Sequence, residues 1–269
     1  MPILDMTLAR DKKHSLLPSF VPASVGKLLL PFIPSFISKR GSYLLAFIFS
    51  SVGRKLFMAL TGFTFVCFVT GHTLGNLTAY AGHWDGGEMM NAYAHFLKSF
   101  MHGAGIWVVR AALFGMLCVH AIVACWLTLD SWAARPKNYR KRKPEATLQS
   151  RLMRWTAVFL FLFVLYHLLQ LTIGWSLVWS TQQPVFVSGS AYQNFVHAFQ
   201  DPLTAGLYIF ANLCLLLHLW HGIWSFTQTL GLSHPRFEKL RKYGATIWAF
   251  TIACINISYP IAVQIGFLK

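Results

Sequence analysis

Charge is scarce in this sequence, and negative charge most of all: 12% of the 269 residues are charged, with eight Asp and Glu against 23 Lys and Arg. A soluble domain carries about a quarter charged residues, so a water-soluble enzyme and a disordered tail are both excluded. Cysteine is also uninformative. Cys67, Cys118, Cys125, Cys214 and Cys254 form no paired metal or redox motif, which excludes a disulfide scaffold and leaves small buried side chains. A C-x-x-C-H run is missing, so any haem would be held non-covalently. No glycine-rich dinucleotide or phosphate loop and no internal repeat is found.

What is present is apolar surface, 55% of the residues, gathered in runs long enough to cross hydrocarbon at roughly 20 helical residues each. Five spans are predicted, at about 56–80, 106–129, 153–180, 203–230 and 244–267, each bounded by Gly, Pro or charge clusters. The fold class is therefore an all-α integral membrane protein.

The net charge of +15 points to topology rather than nucleic acid. Lys and Arg collect in short loops on the cytoplasmic side. Eight lie in residues 1–55, eight between the second and third spans (Arg135 to Arg154) and four between the fourth and fifth (Arg236, Lys239, Arg241, Lys242). Only Lys98, Arg110 and Lys269 fall on the other side. The N-terminus is placed in the cytoplasm and the C-terminus outside, in a multi-pass protein whose basic face meets anionic lipid or a partner. Residues 1–55 carry Pro18, Pro22, Pro31 and Pro34 between apolar pieces too short to span. They read as a cytoplasmic or interfacial extension of the 56–269 domain, and not as a cleaved signal peptide.

Ionisable groups inside hydrocarbon are costly and mark function by default. Four consecutive spans each carry one histidine near the middle: His72, His120, His167 and His218. In an up-down-up-down bundle the first and third helices are diagonal partners, as are the second and fourth. At about 1.5 Å of depth per residue, His72 belongs to the outer half and His120 to the inner half. The pairs expected are His72 with His167 and His120 with His218. Two neutral imidazoles facing across a core are what six-coordinate haem iron requires, so two stacked haems are expected among the first four helices. Gly71, Gly75 and Gly222 beside the ligands suit a flat macrocycle, and equally suit close helix packing. Zinc fits less well, because the histidines lie at two depths rather than at one tetrahedral point. A proton relay would want buried carboxylates, which the spans lack. In the fourth span His218 is chosen as the ligand, with His221 as the fallback.

Several rim residues are candidates for other roles. Arg110 breaks the charge rule at the start of the second span and would reach a haem propionate or snorkel to the surface. Lys55 and Arg154, with Ser51 and Arg151 nearby, lie at the inner rim, where propionates or a quinone headgroup would be met. A quinone needs an apolar slot with a few hydrogen-bonding groups and a proton route. On the outer side Asn76, Glu88, Tyr93 and His95 are the candidate group, or an ordinary polar loop with an amphipathic helix.

The stretches SSVGRKLFMALTGF running into GHTLGN, then NAYAHFL, LTLDSWAARPKNY, SRLMRWTAVFLFLFVLYHL and HLWHGIWSFTQTLGL follow a known order. The sequence resembles the single-chain di-haem cytochrome b membrane anchors of succinate dehydrogenases and quinol:fumarate reductases over most of residues 50–232. The resemblance implies axial ligands at His72, His120, His167 and His218, the last because the family's His-x-x-x-Gly pattern matches His218 to Gly222. It implies two b-type haems and a quinone, with menaquinone favoured. It also implies that succinate chemistry belongs to a flavoprotein subunit with covalent FAD, joined through an iron–sulfur subunit docked on the cytoplasmic face, in the respiratory chain and the tricarboxylic acid cycle. The chain itself would be the electron-transferring, quinone-reactive subunit in the inner membrane. The extension through about residue 50 departs from the family. The alternatives are a di-haem anchor of another respiratory enzyme, of hydrogenase or nitrate reductase type, and a haem-free transporter.

Overall fold

A computed structural model of the protein describes residues 40–134, 148–175 and 186–269. Most of the N-terminal extension, the basic run from Arg135 to Lys143 and the end of the third predicted span lie outside the described residues. The chain divides into two units, Met1–Leu56 and Phe57–Lys269. In the first, helix α1 (Arg40–Phe49) ends at Ser50, whose hydroxyl donates to the Phe47 carbonyl at 2.6 Å and accepts from the Gly53 amide at 3.0 Å. That turn starts α2 (Ser51–Asn76), five residues before the predicted boundary. Lys55 is exposed on its first turns.

In the second unit, α2 from Phe57 onward leads through a 3-10 turn (Leu77–Ala81) and one turn of helix (Gly82–Asp85) to α3 (Glu88–Ser99). Asp85 starts α3: its carboxylate accepts from the amides of Gly87 at 2.7 Å and Met89 at 2.9 Å. Three long helices follow, α4 (Ala104–Ala133), α5 (Leu148–Leu168) and, after the short α6 (Ala191–Gln200), α7 (Pro202–Thr229). The last element is α8 (Glu238–Gln264). Asp201 sets the start of α7 with Pro202 in its first turn, accepting from the Thr204 amide at 2.7 Å; both are helix-start signals. Helix α6 buries Tyr192, Phe195, Val196 and Phe199, the i, i+3, i+4, i+7 stripe of an amphipathic helix.

Five helical segments are long and apolar enough to cross a membrane, and no strand occurs among the described residues. The protein is an all-α integral membrane protein. Contacts between helices fix their directions. Arg154 near the start of α5 donates to Ser131 at the end of α4 (3.1 Å), and Arg241 at the start of α8 donates to Thr227 at the end of α7 (3.0 Å). The spans thus alternate. Helix α8 runs with α2: Asn256 Nδ2 donates to the fully buried Thr73 hydroxyl at 2.9 Å, Tyr259 donates to the Thr73 carbonyl at 3.0 Å, and Trp248 Nε1 donates to Thr70 Oγ1 at 3.2 Å.

One boundary differs in a way that matters. The third span was predicted to run to about residue 180, but α5 ends at Leu168 and passes into a π turn, Leu169–Ile173, closed by Gly174 at φ +84°. Hydropathy did not mark this end because Ile173, Trp175 and Leu177 continue the apolar run. Left-handed backbone marks it instead, and glycine adopts that without steric cost. His167 is therefore close to the end of its helix rather than near the middle.

Candidate functional site

Helix α2 carries His72 one turn before its end, and α5 carries His167 at its own end, on two spans that run in the same direction. Their ring centroids are 5.9 Å apart with planes at 89°. His120 of α4 and His218 of α7, on spans that run the opposite way, have centroids 6.4 Å apart. It is His218, not His221, that faces His120. The two pairs lie at different depths. His120 meets Thr61 on α2, eleven residues from His72, and His167 meets Tyr208 on α7, ten residues from His218. At 1.5 Å per residue both helices give a separation of roughly 15 Å.

Hydrogen bonds to the imidazoles decide which nitrogen is free. Thr61 is buried at 5% exposure, and its hydroxyl donates to the Phe57 carbonyl at 2.7 Å. Its proton is thereby committed, so at 2.8 Å the same oxygen accepts from His120 Nδ1–H. At the other level the Tyr208 hydroxyl donates to Gln170 Oε1 at 2.9 Å and lies 3.2 Å from His167 Nδ1. Both rings therefore carry their proton on Nδ1 and keep the Nε2 lone pair. His72 stacks on Phe68 (centroids 5.6 Å), and its Nε2 accepts a long bond, 3.3 Å, from Asn76 Nδ2. His218 Nδ1 is buried with no hydrogen-bond partner.

These residues fit two six-coordinate haems. Metal–nitrogen bonds of about 2 Å, with roughly a further 1 Å to each ring centre, put two axial imidazole centroids about 6 Å apart. Both observed pairs have that spacing. One imidazole in each pair, His120 and His167, has Nδ1 bonded and Nε2 free, the donor form such iron takes. A Cβ built at Gly71, beside His72, or at Gly222, one turn beyond His218, meets nothing within 4 Å. Among the described residues, no three His, Cys, Asp or Glu converge as a metal-ion site.

The rim residues separate. Tyr93 packs its ring on α2, where a methyl group at Gly75 would lie 2.6 Å from Cε1, and Asn76 bonds His72. Glu88, Tyr93 and His95 are all exposed, and it is helix register that separates them. On α3, at 100° per residue, His95 is about 200° from Tyr93, whereas Glu88 and His95 share one face two turns apart. Arg110 is exposed and stacks over Trp107 at 5.0 Å, within its own helix. Arg154 is held at α4 by Ser131 and lies 5.6 Å over the Trp132 ring. The residues that sequence reading missed are Thr61, Tyr208 and Gln170. Of these only Gln170 carried a signal, as an amide three residues beyond His167 in a span.

Comparison with known proteins follows the same lines. The family described as succinate dehydrogenase/fumarate reductase transmembrane subunit matches residues 133–257, a range that takes in α5, α7 and most of α8, with His167 and His218. The succinate dehydrogenase cytochrome b558 subunit of Bacillus subtilis (strain 168) is 25% identical over 178 residues, 64% of this chain and 78% of that protein. Over these ranges the chain is similar to succinate dehydrogenase/fumarate reductase transmembrane subunits. No solved structure matches it significantly. His72 and His120 lie outside the range matched by the family, so their pairing with His167 and His218 rests on the geometry described above.

Proposed function

We propose that this protein is a cytochrome b membrane anchor that binds two b-type haems, one between His72 and His167 and one between His120 and His218, and connects a peripheral dehydrogenase to membrane quinone. The observation that carries the reading is the pairing of four histidines from four different spans at two depths, with hydroxyl acceptors setting the tautomer of one ring in each pair. Haem at the two levels would supply one-electron carriers across the thickness of the membrane.

The chain's own residues have the remaining tasks. Thr61 and Tyr208 keep Nε2 of His120 and His167 unprotonated. His72 would give up its long bond to Asn76 on ligation, which leaves the Asn76 amide, with Tyr93, to meet a quinone headgroup at that end of the bundle. At the opposite end, Arg151, Arg236, Lys239 and Lys242 form a basic surface. It suits the iron–sulfur subunit through which a flavoprotein with FAD delivers or receives electrons. The positive-inside rule orients that end to the cytoplasm and the C-terminus to the outside of the inner membrane.

A reduced-minus-oxidised visible spectrum of the purified protein, with extracted haem counted per chain, tests the reading. Two b-type haems per chain are expected, and flavin and iron–sulfur subunits should co-purify. A folded preparation without haem overturns the proposal in favour of a transporter. Two haems with a different peripheral enzyme would keep the cytochrome and reject the partner.

A further inference from the structure

A neutral imidazole can ligate iron through Nε2 only while its proton sits on Nδ1, and what Nδ1 meets sets that choice. At His167 the partner is the Tyr208 hydroxyl, 3.2 Å away. A hydroxyl has one proton, and that of Tyr208 is committed to Gln170 Oε1 at 2.9 Å, so toward His167 the oxygen is available as an acceptor. The arrangement is closed to water: Tyr208 is 5% exposed and Gln170 7%. Phe163 and Phe199 pack edge-on to the Tyr208 ring, each with its centroid 4.9 Å away. Gln170 is presented by the π turn, not by the regular helix; such turns recur at functional positions.

We propose that Tyr208 and Gln170 form a positioning pair that holds His167 in the Nδ1–H tautomer and so sets the affinity and reduction potential of the outer haem. The inference rests on the di-haem reading above and adds to it two residues that touch neither iron nor substrate. An acceptor on Nδ1–H makes the ligand more basic, which favours ferric over ferrous iron and lowers the potential.

The pair has a consequence that packing alone does not. In Y208F the acceptor is lost and the ring stays; the outer haem remains bound and its potential rises. A tenfold loss of preference for ferric iron reads as about 59 mV for a one-electron couple. In Q170L the tyrosine proton loses its acceptor and turns to His167 Nδ1, which puts the imidazole proton on Nε2, where it blocks ligation. Q170L should therefore lower outer-haem occupancy more than Y208F does. The double variant Y208F/Q170L, which has no hydroxyl proton to misplace, should return to the behaviour of Y208F.

The measurement is a spectroelectrochemical titration of both haems in the purified intact complex, with haem counted per chain. The inner-haem potential should stay constant throughout. An unchanged outer potential in Y208F overturns the proposal, and so does a double variant no better than Q170L, because a purely structural role makes the double at least as impaired as the worse single. Y208F decides alone where Q170L gives no folded protein. A wild-type preparation without two haems rejects the underlying reading, and the inference with it, before any variant is compared.

Discussion

Replacing Thr61 by Val tests the inner site through a group that is not itself a ligand. The two side chains are nearly isosteric, so no cavity opens. The Phe57 carbonyl that the hydroxyl caps at 2.7 Å keeps its bond within the helix. What changes is at His120, whose Nδ1–H, 2.8 Å from the Thr61 oxygen, would face a methyl group. An unsatisfied buried donor costs about 1–3 kcal/mol, so inner-haem affinity should fall roughly 5- to 150-fold, a range that brackets the ~10- to 100-fold typical of losing a partner behind a metal ligand. Haem-depleted complex titrated with haemin, followed by the bands of each haem, gives the number. Thr61→Ser keeps the acceptor and should bind as wild type does. The reasoning fails if Thr61→Val binds the inner haem within twofold of wild type, or if both haems weaken alike.

Substitution of each histidine by Ala should group the residues by pair in haem counts and spectra. His72 and His167 should lose the same haem, His120 and His218 the other, and His221→Ala should keep both; a haem that survives loss of either member of its pair removes that pair from the assignment. Thr73→Val takes away the partner of Asn256 at the α2–α8 seam and should cost about 1 kcal/mol, within the range found for hydrogen bonds between membrane helices. Thermal unfolding in detergent reads this loss, and Asn256→Ala should lower stability by a similar amount and add little on top. Gly86 and Gly87 both have positive φ, +66° and +94°, so Ala at either carries a left-handed cost of about 1–2 kcal/mol. Only at Gly87 would the methyl also meet Tyr192, at 2.3 Å from Cδ1, adding about 1–3 kcal/mol of overpacking. Gly87→Ala should melt clearly below Gly86→Ala, and equal melting temperatures would show that the Tyr192 contact yields without cost.

The five spans and their alternation were legible because hydropathy is a property of long runs, which survives errors of several residues at each end. The histidine partners followed from alternation of direction and from depth, without side-chain geometry. The end of α5 was not legible, since the apolar run continues past Gly174 and only backbone conformation stops the helix there. Nor were Thr61, Tyr208 and Gln170. A lone hydroxyl or amide in a span is consistent with a bond to its own helix, as Thr64 and Thr70 in fact make, and only the approach of a second helix gives it another meaning. The outer rim was half legible. Asn76, Glu88, Tyr93 and His95 are neighbours in sequence, but the helix over Glu88–Ser99 turns Tyr93 away from Glu88 and His95. Loop reading has no register with which to separate them.

The four histidines are not equivalent in how they are supported. Helix α2 supplies His72 to one level and Thr61, the partner of His120, to the other; α7 supplies His218 to one level and Tyr208, the partner of His167, to the other. Both are packed on α8. Trp220 of α7 meets Phe250 with centroids 5.6 Å apart, and Leu219 is buried with Ala249 and Ile252, while Thr70 and Thr73 of α2 bond Trp248, Asn256 and Tyr259. Helix α4 lies in the least buried of the five spans, whereas α5 packs on α7 through Phe163 and Tyr166. They carry the two imidazoles, His120 and His167, whose Nδ1 meets a hydroxyl of α2 or α7. Helix α8 thus frames the two helices, α2 and α7, that contribute to both levels. It follows that a change in the frame, such as Thr73→Val, should disturb both haems, whereas a change behind a single imidazole, such as Thr61→Val, should disturb one.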